Sequence, residues 1–193
     1  MYADPYHSGV LDKAVHERLV ANLPHYVREA GISPHWVWTR LSETCGDDVV
    51  DYVRRINGHR TGGAIQGLAL FRKPKSKADP AEQMSAIAGA LLRNFVNARV
   101  MTLLNVLDAL DDGEALSATC LLIPNFCLNT VEMGGKGDKL PAFKIQALYD
   151  LLVRRASAGR QTVVYSTDRE TLGAAYGTAI QLHVETHFIK VEI

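Results

Sequence analysis

Short apolar runs alternate with amphipathic stretches along the last two thirds of the sequence, and this alternation restricts the fold more than any other feature. Five runs have the length and composition of buried strands, at residues 64–71, 98–106, 118–123, 161–167 and 187–193. Between the first two runs, Met84, Ile87 and Leu91 lie on one stripe of an amphipathic helix. Strands that alternate with helices form parallel sheets covered on both faces. The sequence therefore predicts an α/β fold with a five-stranded parallel sheet.

The N-terminal part has a different pattern, because its apolar residues recur mainly at helical spacing. Pro24 is predicted to interrupt or restart the first helix, and Gly31 and Pro34 mark a turn. The stretch NGHRTGG, residues 57–63, is predicted to be a loop. We therefore predict a helical N-terminal segment over residues 1–57 and an α/β domain over residues 58–193.

Charge, hydropathy and cysteine content narrow the class of protein. The 21 basic and 21 acidic residues balance, so net charge does not indicate a nucleic-acid or membrane partner. No apolar run approaches the roughly 20 residues of a membrane span, and the N-terminus lacks the pattern of a signal peptide. Cys45, Cys120 and Cys127 show no metal-binding or redox spacing. These features predict a cytoplasmic protein without a membrane partner, in which the cysteines are buried apolar residues.

Several segments together resemble one family. REAGISPHWVWTRLS (28–42), GLALF (67–71), AIAGALL (86–92), RVMTLLNVLDAL (99–110) and LYDLLVRRASAGRQTVVYSTD (148–168) occur in the order found in bacterial helicase loaders. The sequence resembles the DnaC, DnaI and IstB-like branch of the AAA+ ATPases from about residue 22 to its end. The resemblance implies a sheet of AAA+ type, preceded by a segment that in helicase loaders grips the helicase.

The residues that would bind and hydrolyse ATP depart from the family pattern. A phosphate loop needs glycines, a Lys and a Ser or Thr, whereas RKPKSKADPAEQ (72–83) contains no glycine. Pro80 or Ala81 occupies the place of the Lys–Ser/Thr pair, and Pro124 and Asn125 occupy that of the carboxylates that hold magnesium. By resemblance, the degenerate nucleotide site comprises Lys75, Ser76, Lys77, Pro124, Asn125 and Asp168, with Thr167 as the other candidate for the polar sensor position. This pattern predicts a pseudo-ATPase with no catalytic residues, cofactor or metal.

The loop between the first strand and the following helix is basic. Arg72, Lys73, Lys75 and Lys77 could bind the phosphates of single-stranded nucleic acid, helped by the dipole of the helix that follows. The alternative is a solvated loop whose charges bind nothing specific. Both interpretations remain open on the sequence alone.

Other polar and aromatic residues admit a structural and a functional interpretation. Candidates for a partner-binding surface are Leu11, Val15, Leu19, Trp36 and Trp38, although core packing is the default for the two tryptophans and is equally open to the helix of Leu11, Val15 and Leu19. The tryptophans are two residues apart and would share one face of an extended segment. His183 and His187 are expected at the entry to the last strand and not in a metal site. Arg154 and Arg155 are expected at the C-terminus of a helix, which favours cations.

Three functions remain compatible with these features. The first is an ATPase-inactive, helicase-loader-like protein of a phage or mobile element that acts in DNA replication by binding the replicative helicase, and in one version single-stranded DNA as well. The second is an accessory protein of transposition or recombination, of IstB-like type. The third is a nucleotide-binding switch with a rearranged phosphate loop that depends on Lys75 or Lys77. Self-association is compatible with each of them.

Overall fold

The computed structural model describes residues 13–127 and 140–193. The N-terminal helices are α1 (Lys13–Ala30), α2 (His35–Trp38), α3 (Leu41–Thr44), α4 (Asp47–Arg54) and α5 (Ile56–Gly62). They are followed by β1 (Gly67–Phe71), α6 (Pro80–Arg93), β2 (Ala98–Val100), α7 (Leu103–Asp111), β3 (Cys120–Cys127), α8 (Ala142–Ser157), β4 (Gln161–Ser166), α9 (Arg169–Tyr176), α10 (Thr178–His187) and β5 (Phe188–Glu192).

The described strands form one five-stranded sheet with the order β2-β3-β4-β1-β5, and every neighbouring pair is parallel. Every residue of β1 and β4 is buried, as expected for central strands that helices cover on both faces. The predicted α/β fold with a five-stranded parallel sheet is therefore confirmed.

Two apolar cores cover the two faces of the sheet. One contains buried residues of α3, α4 and α6, including Val49, Tyr52 and Ile87. The other contains buried residues of α7 to α10, including Leu148 and Val184. Residues 41–56 thus share a core with the sheet, and the predicted boundary at 57/58 remains a prediction. None of the described helices is long and apolar enough to cross a membrane.

Four local predictions in the N-terminal part and near the C-terminus were wrong. First, α1 continues through Pro24, which lies on its exposed side. Second, residues 57–62 belong to α5, which ends at Gly63 with φ 68°, a left-handed conformation that glycine adopts without strain. Third, Trp36 and Trp38 lie in α2 and not in an extended segment. Fourth, His183 lies inside α10 and not at the entry to a strand, whereas His187, one turn further on, ends α10 and directly precedes β5.

Arg155 is the largest of the fully buried side chains and was not recognised from the sequence. Its side chain is 2% exposed and donates hydrogen bonds to the carbonyl oxygens of Leu116 (2.7 Å), Ala118 (3.0 Å) and Gln161 (2.7 Å). It also donates to Thr162 Oγ1 at 3.0 Å. Burial lowers the pKa of Arg155 to about 10, so the group is still charged at neutral pH. Arg155 therefore ties the loop before β3 to β4, whereas Arg154 is exposed as expected.

Candidate functional site

A cleft of about 530 Å³ opens at the carboxyl edge of the sheet, where β1 and β4 end side by side. Ligands of parallel α/β sheets bind at this edge. The described residues that line the cleft are Arg72, Lys73, Pro74, Lys75 and Ser76 from the β1–α6 loop, and Thr167 and Asp168 from the β4–α9 turn. The structure therefore brings the basic loop and the predicted sensor position together.

The backbone of the basic loop starts as a continuation of the sheet. Arg72 N–H donates to Ser166 O at 3.3 Å, and Lys73 N–H donates to Ile193 O at 2.6 Å. A turn follows, in which Ser76 N–H donates to Lys73 O at 3.0 Å and Lys75 has φ 66°. A left-handed conformation is uncommon for a residue other than glycine. The loop therefore has a defined shape that places Lys73 and Lys75 on the wall of the cleft.

The N-terminus of α6, where an ATPase of this fold binds phosphate, is closed by residues of the chain itself. Asp79 is the N-cap, and its carboxylate accepts a hydrogen bond from Ala81 N–H at 2.8 Å. Pro80 is the first residue of the helix and has no N–H to donate. A carboxylate therefore lies where a phosphate would bind, and these residues do not fit the phosphates of a nucleotide. The pair Asp-Pro before a helix was a readable signal of this cap, and the sequence interpretation missed it.

The opposite wall of the cleft is formed by the end of β4. Asp168 is the N-cap of α9, and its carboxylate accepts from Thr171 N–H at 2.6 Å and from Thr171 Oγ1 at 2.7 Å. Thr167 is 7% exposed, and its Oγ1 has no hydrogen-bond partner in the part of the chain that the structure describes. Asp168 therefore stabilises a helix end, whereas the Thr167 hydroxyl is buried in the wall of the cleft.

The end of β3 does not contribute to the cleft, and the prediction that this strand stops at Pro124 was wrong. The strand runs to Cys127, and its register with β4 shifts from Ile123↔Val164 to Cys127↔Ser166. Two extra residues are thus accommodated in β3, as in a bulge, where a proline costs no ladder hydrogen bond. Asn125 Oδ1 accepts from Leu103 N–H at 2.8 Å. The amide of Asn125 therefore caps α7 and does not line the cleft.

The cations around the cleft outnumber the acids that line it. Arg72, Lys73 and Lys75 line it together with Asp168, and the guanidinium of Arg169 lies 5.7 Å from the centroid of the Phe71 ring at the end of β1. Lys77 is exposed in the same loop but lies outside the lining. Three of the four predicted anion-binding cations therefore converge on one cleft.

The predicted partner-binding residues divide between core and surface. Leu19 is 3% exposed and belongs to a small core with Val27, Val37 and Leu92. Trp36 is half-buried and packs against the core under α6, whereas Trp38 is 46% exposed and Val15 is 41% exposed. Leu11 lies outside the described residues. The prediction was therefore wrong for Leu19, a core residue, and an exposed surface remains only for part of the set.

The histidines and cysteines form no group that could hold a metal ion among the residues that the structure describes. The rings of His183 and His187 are 5.2 Å apart, and Tyr149 and Phe188 pack against His183. All three cysteines are buried, as the sequence predicted.

Solved structures of replication initiators share this fold. A replication initiator DnaA bound to AMPPCP and single-stranded DNA gives a TM-score of 0.55 at 11% identity, over 84% of this chain and 50% of that chain. A DNA replication initiation factor gives 0.56 at 10% identity, over 84% and 50%. Domain III of Thermotoga maritima DnaA gives 0.54 at 11% identity, over 84% and 68%. This chain spans about half the length of the first two proteins.

At these identities the likeness establishes the fold, which is of AAA+ type. No family model and no curated protein matches the sequence. The narrower resemblance to the DnaC, DnaI and IstB-like branch stays a prediction.

Proposed function

We propose that this chain is an AAA+-type protein that has lost ATP hydrolysis and acts in DNA replication by binding the replicative helicase. The observation that carries the proposal is the start of α6, where the Asp79 carboxylate and Pro80 lie in place of phosphate-binding groups. Asn125 supports it, because a neutral amide that caps α7 is a poor substitute for a magnesium carboxylate. The fold would then serve as a scaffold for contacts with other macromolecules.

The choice of replication rests on likeness and not on catalytic chemistry. The similar structures are replication initiators, and the order of segments in the sequence resembles helicase loaders. Loaders act through a protein contact with the helicase, and a scaffold without nucleotide chemistry can retain such a contact.

Single-stranded DNA is the second ligand that we propose, with the cleft as its site. One similar protein is described as bound to single-stranded DNA. In this chain Arg72, Lys73 and Lys75 line an open cleft at the carboxyl edge of the sheet. Lysine and arginine at a phosphate backbone release counterions, so binding should weaken as salt rises.

A loading assay tests the proposed function. The full chain, not preloaded with nucleotide, is mixed with the hexameric replicative helicase of its host. The transfer of the helicase onto single-stranded DNA coated with binding protein is then followed. We expect a stable complex and a change in the amount of loaded helicase. The proposal is wrong if the protein neither binds the helicase nor changes its loading.

The DNA part is tested separately by fluorescence anisotropy with a labelled oligonucleotide. We expect Lys73→Ala/Lys75→Ala to weaken binding and to reduce the slope of log affinity against log salt by roughly 1.4, for two lost contacts with single-stranded DNA. The control variant Lys13→Ala/Arg54→Ala removes two exposed cations that do not line the cleft. Equal loss in both variants would mean that the cleft is not the binding site.

A further inference from the structure

A second cavity of about 260 Å³ lies between α1 and the segment that follows α6, on a different part of the surface from the cleft. Its apolar walls include Leu92, Phe95 and Val96, and α1 contributes His25, Tyr26 and Glu29. We call it the α1–α6 groove. A cavity of this size holds one large apolar side chain.

Phe95 adopts a backbone conformation that is unfavourable for a bulky side chain. Its φ is 57°, and Phe95 N–H and Val96 N–H donate to Leu92 O and Leu91 O, both at 2.9 Å. This is the left-handed position after a helix end, where glycine or asparagine is normal and a bulky residue is strained. The side chain is nevertheless 37% exposed, so burial within the described chain covers only part of the ring. Strain of this kind that packing does not explain points to a functional contact.

Arg18 covers the exposed ring. Its guanidinium lies 4.4 Å from the centroid of Phe95, in a cation–π arrangement. The side chain is exposed and forms no ion pair with any described residue. A guanidinium stacked on an aromatic face keeps its N–H donors at the edge, where they can bind a carboxylate in bidentate geometry.

We propose that the α1–α6 groove binds an acidic peptide segment of another protein, which inserts one apolar side chain beside Phe95 and places a carboxylate on Arg18. The apolar walls favour a protein over a nucleic acid. Glu29 on the lining repels a carboxylate, so the acidic group of the occupant is placed on the Arg18 side of Phe95. The inference does not depend on the nucleotide question.

Stability measurements test the claim about strain. If Phe95 is retained for a partner, Phe95→Gly removes the strain, and the midpoint of thermal unfolding should rise by about 2 °C. Phe95→Ala keeps the cost of the left-handed conformation, so it should not raise the midpoint. If Phe95→Gly instead lowers the midpoint by several degrees, the side chain is needed for the fold and the proposal fails.

Binding is tested with 3-phenylpropionate and, as its uncharged control, 3-phenylpropionamide, by NMR of the ¹⁵N-labelled full chain. We expect the carboxylate to shift the amide signals of residues 95–97 with low-millimolar affinity. Arg18→Gln should weaken the binding of 3-phenylpropionate roughly tenfold and leave the binding of 3-phenylpropionamide unchanged. Arg54→Gln, an equal charge change on α4, should affect the binding of neither compound. Phe95→Gly should weaken both compounds.

Two results would overturn the proposal. One is the absence of carboxylate-specific shifts at residues 95–97. The other is that these signals shift with protein concentration alone, which would assign the groove to a second copy of this chain.

Discussion

The side-chain oxygen of Asn125 lies 2.8 Å from the backbone nitrogen of Leu103 and accepts its hydrogen bond at the start of α7. The residue that, by the sequence resemblance, takes the place of a magnesium carboxylate therefore serves the fold. We expect Asn125→Ala to lower the free energy of unfolding by about 1 kcal/mol, because the Leu103 N–H loses its partner. Urea unfolding measures this loss, and Asn105→Ala at an exposed position of α7 is the control.

Restoring the acid at this position separates structure from catalysis. Asn125→Asp keeps an acceptor for Leu103 and adds a negative charge at a helix N-terminus, which is worth about 0.3–1 kcal/mol. We therefore expect Asn125→Asp to be at least as stable as the wild type and to gain no ATPase activity, measured as phosphate release. Appearance of magnesium-dependent hydrolysis would contradict the assignment of Asn125 as a cap.

Arg155 should be the most sensitive cation of the chain. Arg155→Met leaves the carbonyl groups of Leu116, Ala118 and Gln161 without this donor. We expect a loss of about 3 kcal/mol in the free energy of unfolding, because buried acceptors stay unsatisfied. Arg154→Met, one residue away and exposed, should change it by less than about 0.5 kcal/mol. Similar losses in the two variants would contradict the buried network.

The thiols should be inert in the folded protein at mildly alkaline pH. Burial raises the pKa of Cys45 and Cys120 to about 12 and that of Cys127 to about 11, from an ordinary value of 9.0. The contribution of these groups to stability is present below pH 9.0 and is lost as pH rises through the folded pKa values. A thiol reagent at about pH 8 should label the folded chain slowly and the unfolded chain at three sites. Fast labelling of the folded chain would contradict their burial.

Acid should destabilise the packing of α10. Burial, and then the neighbouring His187, lowers the pKa of His183 from its ordinary value of 6.5. The unfolded state therefore binds the proton more tightly, so this contribution is present above pH 6.5 and is lost as the pH falls through the lower folded pKa. The midpoint of thermal unfolding should fall over this range, and His183→Phe should reduce the slope.

The remaining acid sensitivity has a second source, because burial also lowers the pKa of His59. His16→Phe on α1 is the control variant, because it also removes one histidine but at a different site. If His183→Phe and His16→Phe have equal pH profiles, the proposed desolvation of His183 is wrong.

The parts of the fold that depend on apolar periodicity were predictable, and those that depend on tertiary contacts were not. The strands around Leu68 and Val163 are short runs with an apolar centre and are flanked by turn residues, so the local pattern identified them. By contrast, α10 begins after Gly177 and contains polar and β-branched residues, so its local pattern resembled a strand entry. The sequence likewise could not indicate that β3 continues beyond Pro124, because a bulge depends on the neighbouring strand.

The candidate site divides in the same way. The basic loop and Asp168 were grouped in one site through the family resemblance, and they lie together because the neighbouring parallel strands β1 and β4 end at one edge. The separation of Asn125 from the cleft and the burial of Arg155 depend on side-chain partners distant in sequence. Pro80 was noted from the sequence only as a mismatch, and its meaning emerged with the Asp79 cap.

The most direct test of the central claim is isothermal titration of the full chain with ATP and with ADP, in the presence of magnesium. Protein concentrations should be high enough to reveal micromolar affinity, and a parallel assay should follow phosphate release. The account predicts no binding heat and no phosphate release, because Asp79 and Pro80 close the start of α6. Saturable binding abolished by Lys73→Ala/Lys75→Ala would contradict it, and would identify the basic loop as an unconventional nucleotide site.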